Sequence, residues 1–352
     1  MSIKQKAAVL LVASILILPY PGLSYAFQDL PSGTVNRIAV GSCLDQNESL
    51  DILHSIQTAA PQLLIMAGDN VYAEDESDDP ALLSLRAAYD ALGSAPQFQA
   101  LKQTTPIVAT WDDHDYGLND AGREFRHRAK AEMLFETFWE IPQEDDSRRR
   151  PGIYRSLMLG QGSERIQVII LDTRFFRSEL KRPWIPRLNG RYIPQDQPGQ
   201  TMLGVEQWEW LEKELIRPAA VRILVSSVQV LADGHHWEAW RMLPDARDRL
   251  LTALAESAGT TILLSGDRHL AGLYRKRLAN DRVLWEMTSS SLNLPLSQIN
   301  PAVTGEGGTH RVGEVFLDAN FGWLEFDWKQ RSVTMQIRNS NNAPVRTATV
   351  FF

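Results

Sequence analysis

Short apolar runs bounded by glycine, proline or polar residues recur along the chain: Arg37-Ile38-Ala39-Val40, Leu63-Leu64-Ile65-Met66, Ile107-Val108-Ala109, Ile166 to Leu171, Val221 to Val225 and Thr261 to Leu264. Being short and nearly unbroken, they predict strands buried on both faces, as in a sheet covered by helices. Helical spacing of apolar positions fills the gaps, over Leu50 to Ala59, Ala81 to Leu101, Arg123 to Trp139, Glu206 to Ile216 and Pro244 to Ser257. The alternation β-α-β-α predicts an α/β architecture. From Val283 onward the helical spacing stops. There Val283 to Met287, Gly322 to Trp328, Ser332 to Arg338 and Val345 to Phe351 read as antiparallel strands closing the sheet system. Two segments break the rhythm, Asp145 to Pro151 and the Pro/Arg-rich stretch Arg174 to Gly204; loops of the latter length are functional covers or variable surface.

The first residues follow a different pattern. Lys4 and Lys6 precede an apolar run from Ala7 to Leu18, and Pro19, Pro21 and Gly22 lead to the small-x-small string Ser24-Tyr25-Ala26. This predicts a signal peptide, residues 1–26, cut after Ala26. A bilayer span wants about 18 or more unbroken apolar residues, and Pro19 ends this run too early. The expectation is an exported protein, periplasmic or secreted, with no membrane span after processing and a single domain over residues 27–352. The formal net charge of −7 becomes more negative once Lys4 and Lys6 are removed, which argues against a nucleic-acid-binding surface. An anionic substrate would need local help from metals or a few arginines. Cys43 is the sole cysteine, so an intrachain disulfide is excluded.

Chemistry gathers where the apolar runs end. The first leads into Gly41-Ser42-Cys43, the second into Gly68-Asp69-Asn70-Val71-Tyr72 and the third into Trp111-Asp112-Asp113-His114-Asp115. Two later ones lead into Asp172-Thr173-Arg174 and Gly266-Asp267-Arg268-His269. Ligands bind beyond the carboxyl ends of parallel strands in α/β sheets, so five such tips should meet at one crevice. Carboxylates crowded there without cations would repel one another and hold their protons. Bound metal is the simplest resolution. A mixed Asp, His, Cys and Tyr set suits one harder and one softer position rather than a tetrahedral structural zinc.

These strings, in this order, resemble the alkaline phosphatase D (PhoD-like) family of the metallophosphoesterase superfamily. Leu171-Asp172-Thr173-Arg174, Trp240-x-x-Leu243-Pro244-x-x-Arg247 and Thr288-Ser289-Ser290 extend the resemblance over essentially the whole mature chain. It implies a sandwich of two mixed β-sheets flanked by helices, with C-terminal antiparallel strands. It also implies a phosphatase or phosphodiesterase using Fe(3+) with Ca(2+), Zn(2+) or Mn(2+) being alternatives. Carried over by position, Cys43 and Tyr72 match the iron-binding thiolate and phenolate, and Asp69 the carboxylate between two metals. Asp113 and His114 stand where the superfamily has an Asn-His pair; Asp267 and His269 match its last ligand motif. Two departures stand out. Too few residues precede Cys43 for the N-terminal β-domain of many members, and Val225-Ser226-Ser227 has no histidine where a ligand is common.

Two cations about 3.5–4 Å apart can lower the pKa of a hydroxide held between them and clamp the phosphoryl oxygens of a small phosphate ester. A phenol binds well only beside a strongly acidic metal, so Tyr72 points to a trivalent ion. His114 is the candidate general acid for the leaving alkoxide. Arg174 and Arg177 are candidates to bind phosphate oxygens with forked donors. Taken singly, Cys43 also reads as a small buried hydrophobe, Tyr72 as packing, Asp69 and Asp113 as helix caps and His114 as a structural histidine. His235-His236 reads as surface or lid packing. The acidic run Glu74-Asp75-Glu76 with Asp78-Asp79 reads as a solvated loop, a surface calcium site being its alternative. A Cys43 nucleophile is disfavoured because surrounding carboxylates would suppress the thiolate. The competing reading of the whole chain is a non-catalytic exported metal- or phosphate-binding protein on the same fold.

Overall fold

The computed structural model describes residues 30–73, 79–185, 189–195, 197–303 and 305–352; the expected signal peptide and residues 74–78 of the acidic run lie outside them. The strands are β1 (Arg37–Gly41), β2 (Leu63–Ala67), β3 (Ile107–Thr110), β4 (Arg155–Leu159), β5 (Ile166–Ile170), β6 (Val221–Val225) and β7 (Thr260–Ser265). They continue with β8 (Ala271–Arg277), β9 (Val283–Ser289), β10 (Arg311–Phe316), β11 (Asn320–Asp327), β12 (Ser332–Asn339) and β13 (Pro344–Phe351). The helices are α1 (Asp51–Ala59), α2 (Leu83–Ser94), α3 (Pro96–Thr104), α4 (Asp113–Tyr116), α5 (Arg128–Phe138), α6 (Gly204–Leu215), α7 (Pro244–Glu256) and α8 (Leu296–Ile299).

Two mixed sheets result, in the orders β13-β12-β11-β1-β2-β3 and β10-β8-β9-β7-β6-β5-β4. The parallel strands are β1, β2 and β3 in one and β5, β6, β7 and β9 in the other. Alternation along each strand splits its side chains between two layers. Ile38, Val40, Leu63 and Ile65 of the first sheet meet Val168, Ile170, Ile223 and Leu264 of the second in a shared inner layer. The opposite faces take helices: Ala39, Leu64 and Met66 pack with residues of α1, α2, α3 and α5, and Ile169, Leu224 and Leu263 with α6 and α7. Each fully buried Ile, Leu or Val contributes about 1.5–3 kcal/mol. No helix among the described residues is long and apolar enough to cross a membrane.

The sandwich refines three expectations. The runs are buried on both faces as read, but helices cover only one face of each sheet and the other sheet covers the second. The helix expected from Ala81 to Leu101 is two, because Pro96 lacks an N–H and forces Ala95 into an extended conformation (φ −67°, ψ 125°). β9, expected to be antiparallel, pairs parallel with β7 and antiparallel only with β8.

Candidate functional site

The carboxyl ends of the parallel strands from both sheets open on the same place. The Cys43 and Leu44 amides donate to the Gly68 and Asp69 carbonyls (3.2 and 2.8 Å), tying the end of β1 to the end of β2; the Gly266 amide donates to the Ser227 carbonyl (2.9 Å), tying β7 to β6. Close approach needs glycine at two positions. A Cβ on Gly68 would lie 2.7 Å from the Asp112 Cβ, and one on Gly266 2.6 Å from the Ser42 Oγ. Just beyond, Cys43, Asp69, Asp267 and His269 all have positive φ (56°, 50°, 68° and 53°). A side chain in that left-handed region costs on the order of 1 kcal/mol or more, a strain that clusters at functional sites.

The bent tips aim their side chains at one another. Donor atoms of Cys43, Asp69 and His269 lie within 4.8 Å of one another, as do those of Asp69, Asp113 and His114, and those of Asp69, Asp112, Asp113 and Asp267. Asp69 belongs to all three groups. Its Oδ2 stands 3.5 Å from the Cys43 Sγ and 3.4 Å from the Tyr72 hydroxyl, and its Oδ1 accepts the His114 amide at 3.3 Å. The Tyr72 ring lies 4.3 Å from that of His114 and 6.2 Å from that of His269. The structure thus brings Cys43, Asp69, Tyr72, Asp113, His114, Asp267 and His269 into one cluster. The His269 Nδ1 lies 2.6 Å from the Leu294 carbonyl, which can only accept, so Nδ1 carries the proton and the Nε2 lone pair is left for a metal.

The electrostatics ask for cations. Burial pushes the Asp69 carboxyl well above its ordinary range, and Asp113 and Cys43 push it further; burial does the same to Asp267, with Asp112 and Glu238 adding to it. Burial raises Asp115 to about 8 although it accepts backbone amides, and Asp112 to about 6 against the pull of Arg174. Burial disfavours ionised Asp113 as well, but His114 and Arg174 outweigh it and hold that carboxyl low. The Cys43 thiol and Tyr72 phenol are both driven up by burial first. Asp112 Oδ2 and Asp113 Oδ1 are buried without a hydrogen-bond partner. Orphaned carboxylate oxygens beside a thiol, a phenol and an imidazole lone pair form a donor set that fits metal ions, hard oxygen ligands on one side and softer ones on the other.

Arg174 and Arg177 are not brought to this cleft, which corrects their reading as phosphate ligands. Arg174 is fully buried: its Nε donates to Asp112 Oδ1 (2.6 Å) and its Nη2 pairs with Asp112 (2.5 Å) and Glu238 (2.6 Å). Arg177, also buried, pairs with Glu238 at 2.8 Å and donates to the Asp120 carbonyl at 2.6 Å. A cation after a strand tip reads as serving a substrate, whereas the buried acids Asp112, Asp113 and Glu238 surround Arg174 here. Asp112 thus supports the cluster from behind.

Three participants went unread. Ser290 accepts the His269 amide (2.7 Å) and sits 3.0 Å from the Cys43 Sγ; its place just past β9, in the string Thr288-Ser289-Ser290, was the available signal. Glu238 and Asp120, which form a further acidic group with Asp113, come from loops with no local pattern. His235 is buried rather than at the surface: its Nδ1 accepts the Trp237 amide (3.0 Å), so its Nε2 donates to Gln229 (2.9 Å) and neither nitrogen is left for a metal. A cleft of about 790 Å³ opens over the cluster, lined by Asp69, Asp113, His114, Asp267 and His269 at its base, with Asn189 and Arg191 of the long loop and Trp237 higher up.

Comparison with known proteins agrees with this geometry. Residues 38–337 match the PhoD-like phosphatase family. No curated protein matches by sequence. Among solved structures, one described as the structure of PhoD aligns with a TM-score of 0.70 at 16% identity, covering 92% of this chain and 70% of the other. A dimetal phosphatase from Danio rerio aligns with a TM-score of 0.55 at 13% identity, covering 91% of this chain and 99% of that one. Those likenesses establish the metallophosphoesterase-like sandwich. With the family match spanning nearly all the described chain, this protein belongs to the PhoD-like phosphatase family and is a metal-dependent phosphoric ester hydrolase.

Proposed function

We propose that the chain is an exported phosphatase or phosphodiesterase whose metals would be held by Cys43, Asp69, Tyr72, Asp113, Asp267 and His269, with Asp69 common to the donor groups. The observation that carries this reading is the position of Asp69, whose carboxylate lies within reach of Cys43 and His269 on one side and of Asp113 and Asp267 on the other. When bound, the metals would supply Lewis acidity to the phosphoryl oxygens and to the attacking water. The chain's own residues do the rest. The His114 amide holds Asp69 in place, and the imidazole, at the base of the cleft, hands a proton to the departing alkoxide. The Asp120 amide, donating to Asp113 Oδ2 at 2.8 Å, fixes that carboxylate so that its other oxygen faces the cluster. Ser290 and Leu294 orient His269.

Fe(3+) is proposed for the position beside Cys43 and Tyr72, because burial keeps both groups protonated unless a strongly acidic cation stabilises their anions. Ca(2+) suits the carboxylate side. Export rests on the Ala7 to Leu18 run and Ser24-Tyr25-Ala26, and predicts a mature chain beginning at Phe27. The test is to purify that chain and measure its metals, its visible spectrum and its hydrolysis of p-nitrophenyl phosphate and bis-p-nitrophenyl phosphate. Iron with a charge-transfer band that Tyr72→Phe abolishes is the expected result; if neither iron nor calcium copurifies or restores hydrolysis, the ligand assignment fails. His114→Ala should slow alkyl esters more than aryl esters, and equal losses would remove its acid role.

A further inference from the structure

The long loop between β5 and α6 carries two neighbouring side chains that the fold leaves in solvent. Trp184 is 99% exposed and Ile185 beside it 73%. Among the described residues the other exposed large apolar side chains stand singly in sequence, as at Leu83, Met133 and Ile216, and single ones are ordinary. The segment that holds the pair is fastened at its foot. The Ile193 amide donates to the Lys181 carbonyl at 2.9 Å, closing the loop across its base, and the Gln195 side chain donates to the Glu179 carbonyl at 2.6 Å. Tyr192 is tied twice, its amide to the His236 carbonyl at 2.8 Å and its hydroxyl to Asp120 at 2.6 Å. The projection is therefore set before any partner arrives, which lowers the entropy lost on docking. Cations stand around the foot. Lys181 and Arg182 are exposed, and with Arg123 they line a depression of about 490 Å³ that Glu179 also borders.

An indole and an aliphatic side chain at a tip, with cations below them, suit the headgroup region of an anionic bilayer. Indole rings settle at the membrane–water interface, and basic side chains near it are drawn to anionic lipids. A protein partner fits less well. A buried Trp side chain supplies about 250 Å² at most, well short of the roughly 800 Å² per partner of a stable protein interface, whereas shallow insertion needs only the tip. We propose that this loop is a membrane-docking element: Trp184 and Ile185 enter the interface of an anionic bilayer while Lys181, Arg182 and Arg123 meet lipid phosphates. The chain then lies on the membrane without spanning it. Its formal net charge is −7, so the attraction is local to this loop. Asn189, which lines the cleft, is four positions on from Ile185, at most about 14 Å of chain, so docking holds the cleft mouth close to the headgroups.

The test uses the metal-loaded chain beginning at Phe27, because the Ala7 to Leu18 run would bind lipid by itself. Its sedimentation with vesicles of phosphatidylcholine is compared with that on vesicles of phosphatidylcholine and phosphatidylglycerol in equal parts. Binding to the mixed vesicles that weakens with added salt is the expected result. Trp184→Ala should lower the partition coefficient roughly tenfold to a hundredfold. Lys181→Ala and Arg182→Ala should each lower it about fivefold on the mixed vesicles and leave it unchanged on phosphatidylcholine alone. Ile216→Ala, at an exposed apolar position at the end of α6, should have no effect. All four positions are exposed, so the variants keep the fold. Failure of the wild-type to bind the mixed vesicles, or undiminished binding by Trp184→Ala, overturns the proposal. So does a concentration-dependent dimer that Trp184→Ala dissociates without any vesicle binding, which would make the tip a contact between copies.

Discussion

Asp69 and Asp172 each stand two residues beyond a buried parallel strand, and both side chains are almost wholly removed from solvent. Around Asp172 the chain supplies donors. Its Oδ1 accepts the Trp111 indole N–H and the Arg174 and Phe175 amides, each at 2.9 Å, and its Oδ2 accepts the Ile153 amide at 3.0 Å. Burial still raises its pKa, but those donors pull it back. Around Asp69 the chain supplies acids and weak, distant donors, the shortest contact being the 3.3 Å amide of His114. One carboxylate is complete within the protein, and the other is left for an external cation. What separates a structural aspartate from a candidate metal ligand here is the count of good donors, since burial and place in the fold are the same.

Replacing each carboxylate by its amide should break this symmetry in opposite directions. Asp69→Asn is expected to lower kcat/KM by about 10³-fold or more, beyond the loss from a single transition-state donor, and to reduce bound metal. After chelation the variant should be no less stable than the wild-type, because one member of a crowded acidic cluster has become neutral. Urea unfolding of both proteins in chelator checks this, and a marked destabilisation of chelated Asp69→Asn would show that Asp69 is a structural group after all. Asp172→Asn should do the reverse. An amide presents a donor N–H₂ to a shell made only of donors, at an expected loss of about 2–4 kcal/mol. Metal content and kcat per folded molecule should stay close to wild-type.

The sequence showed both aspartates at strand tips but could not tell them apart. Two of the donors to Asp172 are the local Arg174 and Phe175 amides, but the other two come from Trp111 and Ile153, 61 and 19 residues away, so the satisfied carboxylate looks no different from the unsatisfied one until the fold exists. Arg174 shows the same blindness from the cationic side, its partners Asp112 and Glu238 lying more than sixty residues away on either side, at β3's tip and in a separate loop. Strands were legible where both faces are buried, and β12 and β13 where β-branched residues recur among polar ones. β4, β8 and β10 were missed because their exposed positions interrupt any apolar run. The cluster of candidate ligands was legible because its residues are adjacent to strands that were, whereas Glu238 and Asp120 reach the site from loops without periodicity.

The Asp172 side of the comparison has a smaller test in Glu132 on α5. This partly exposed glutamate is raised to about 8, by burial first and then by Asp172 and Glu136. Its unfolded value is near 4.3, so the native state holds a proton that the unfolded state gives up. Stability from this group is therefore greatest below about pH 4 and is lost as pH rises towards 8. Glu132→Gln removes that dependence. The variant should match the wild-type near pH 5 and exceed it at pH 9 by about 1 kcal/mol, the full linkage being discounted for solvent screening. Urea midpoints at the two pH values measure the difference. Arg150 and the Gly152 amide already pull against burial; a variant that instead loses ground at pH 9 would mean that they outweigh it, and that the acids around Asp172 are balanced by more than its four donors.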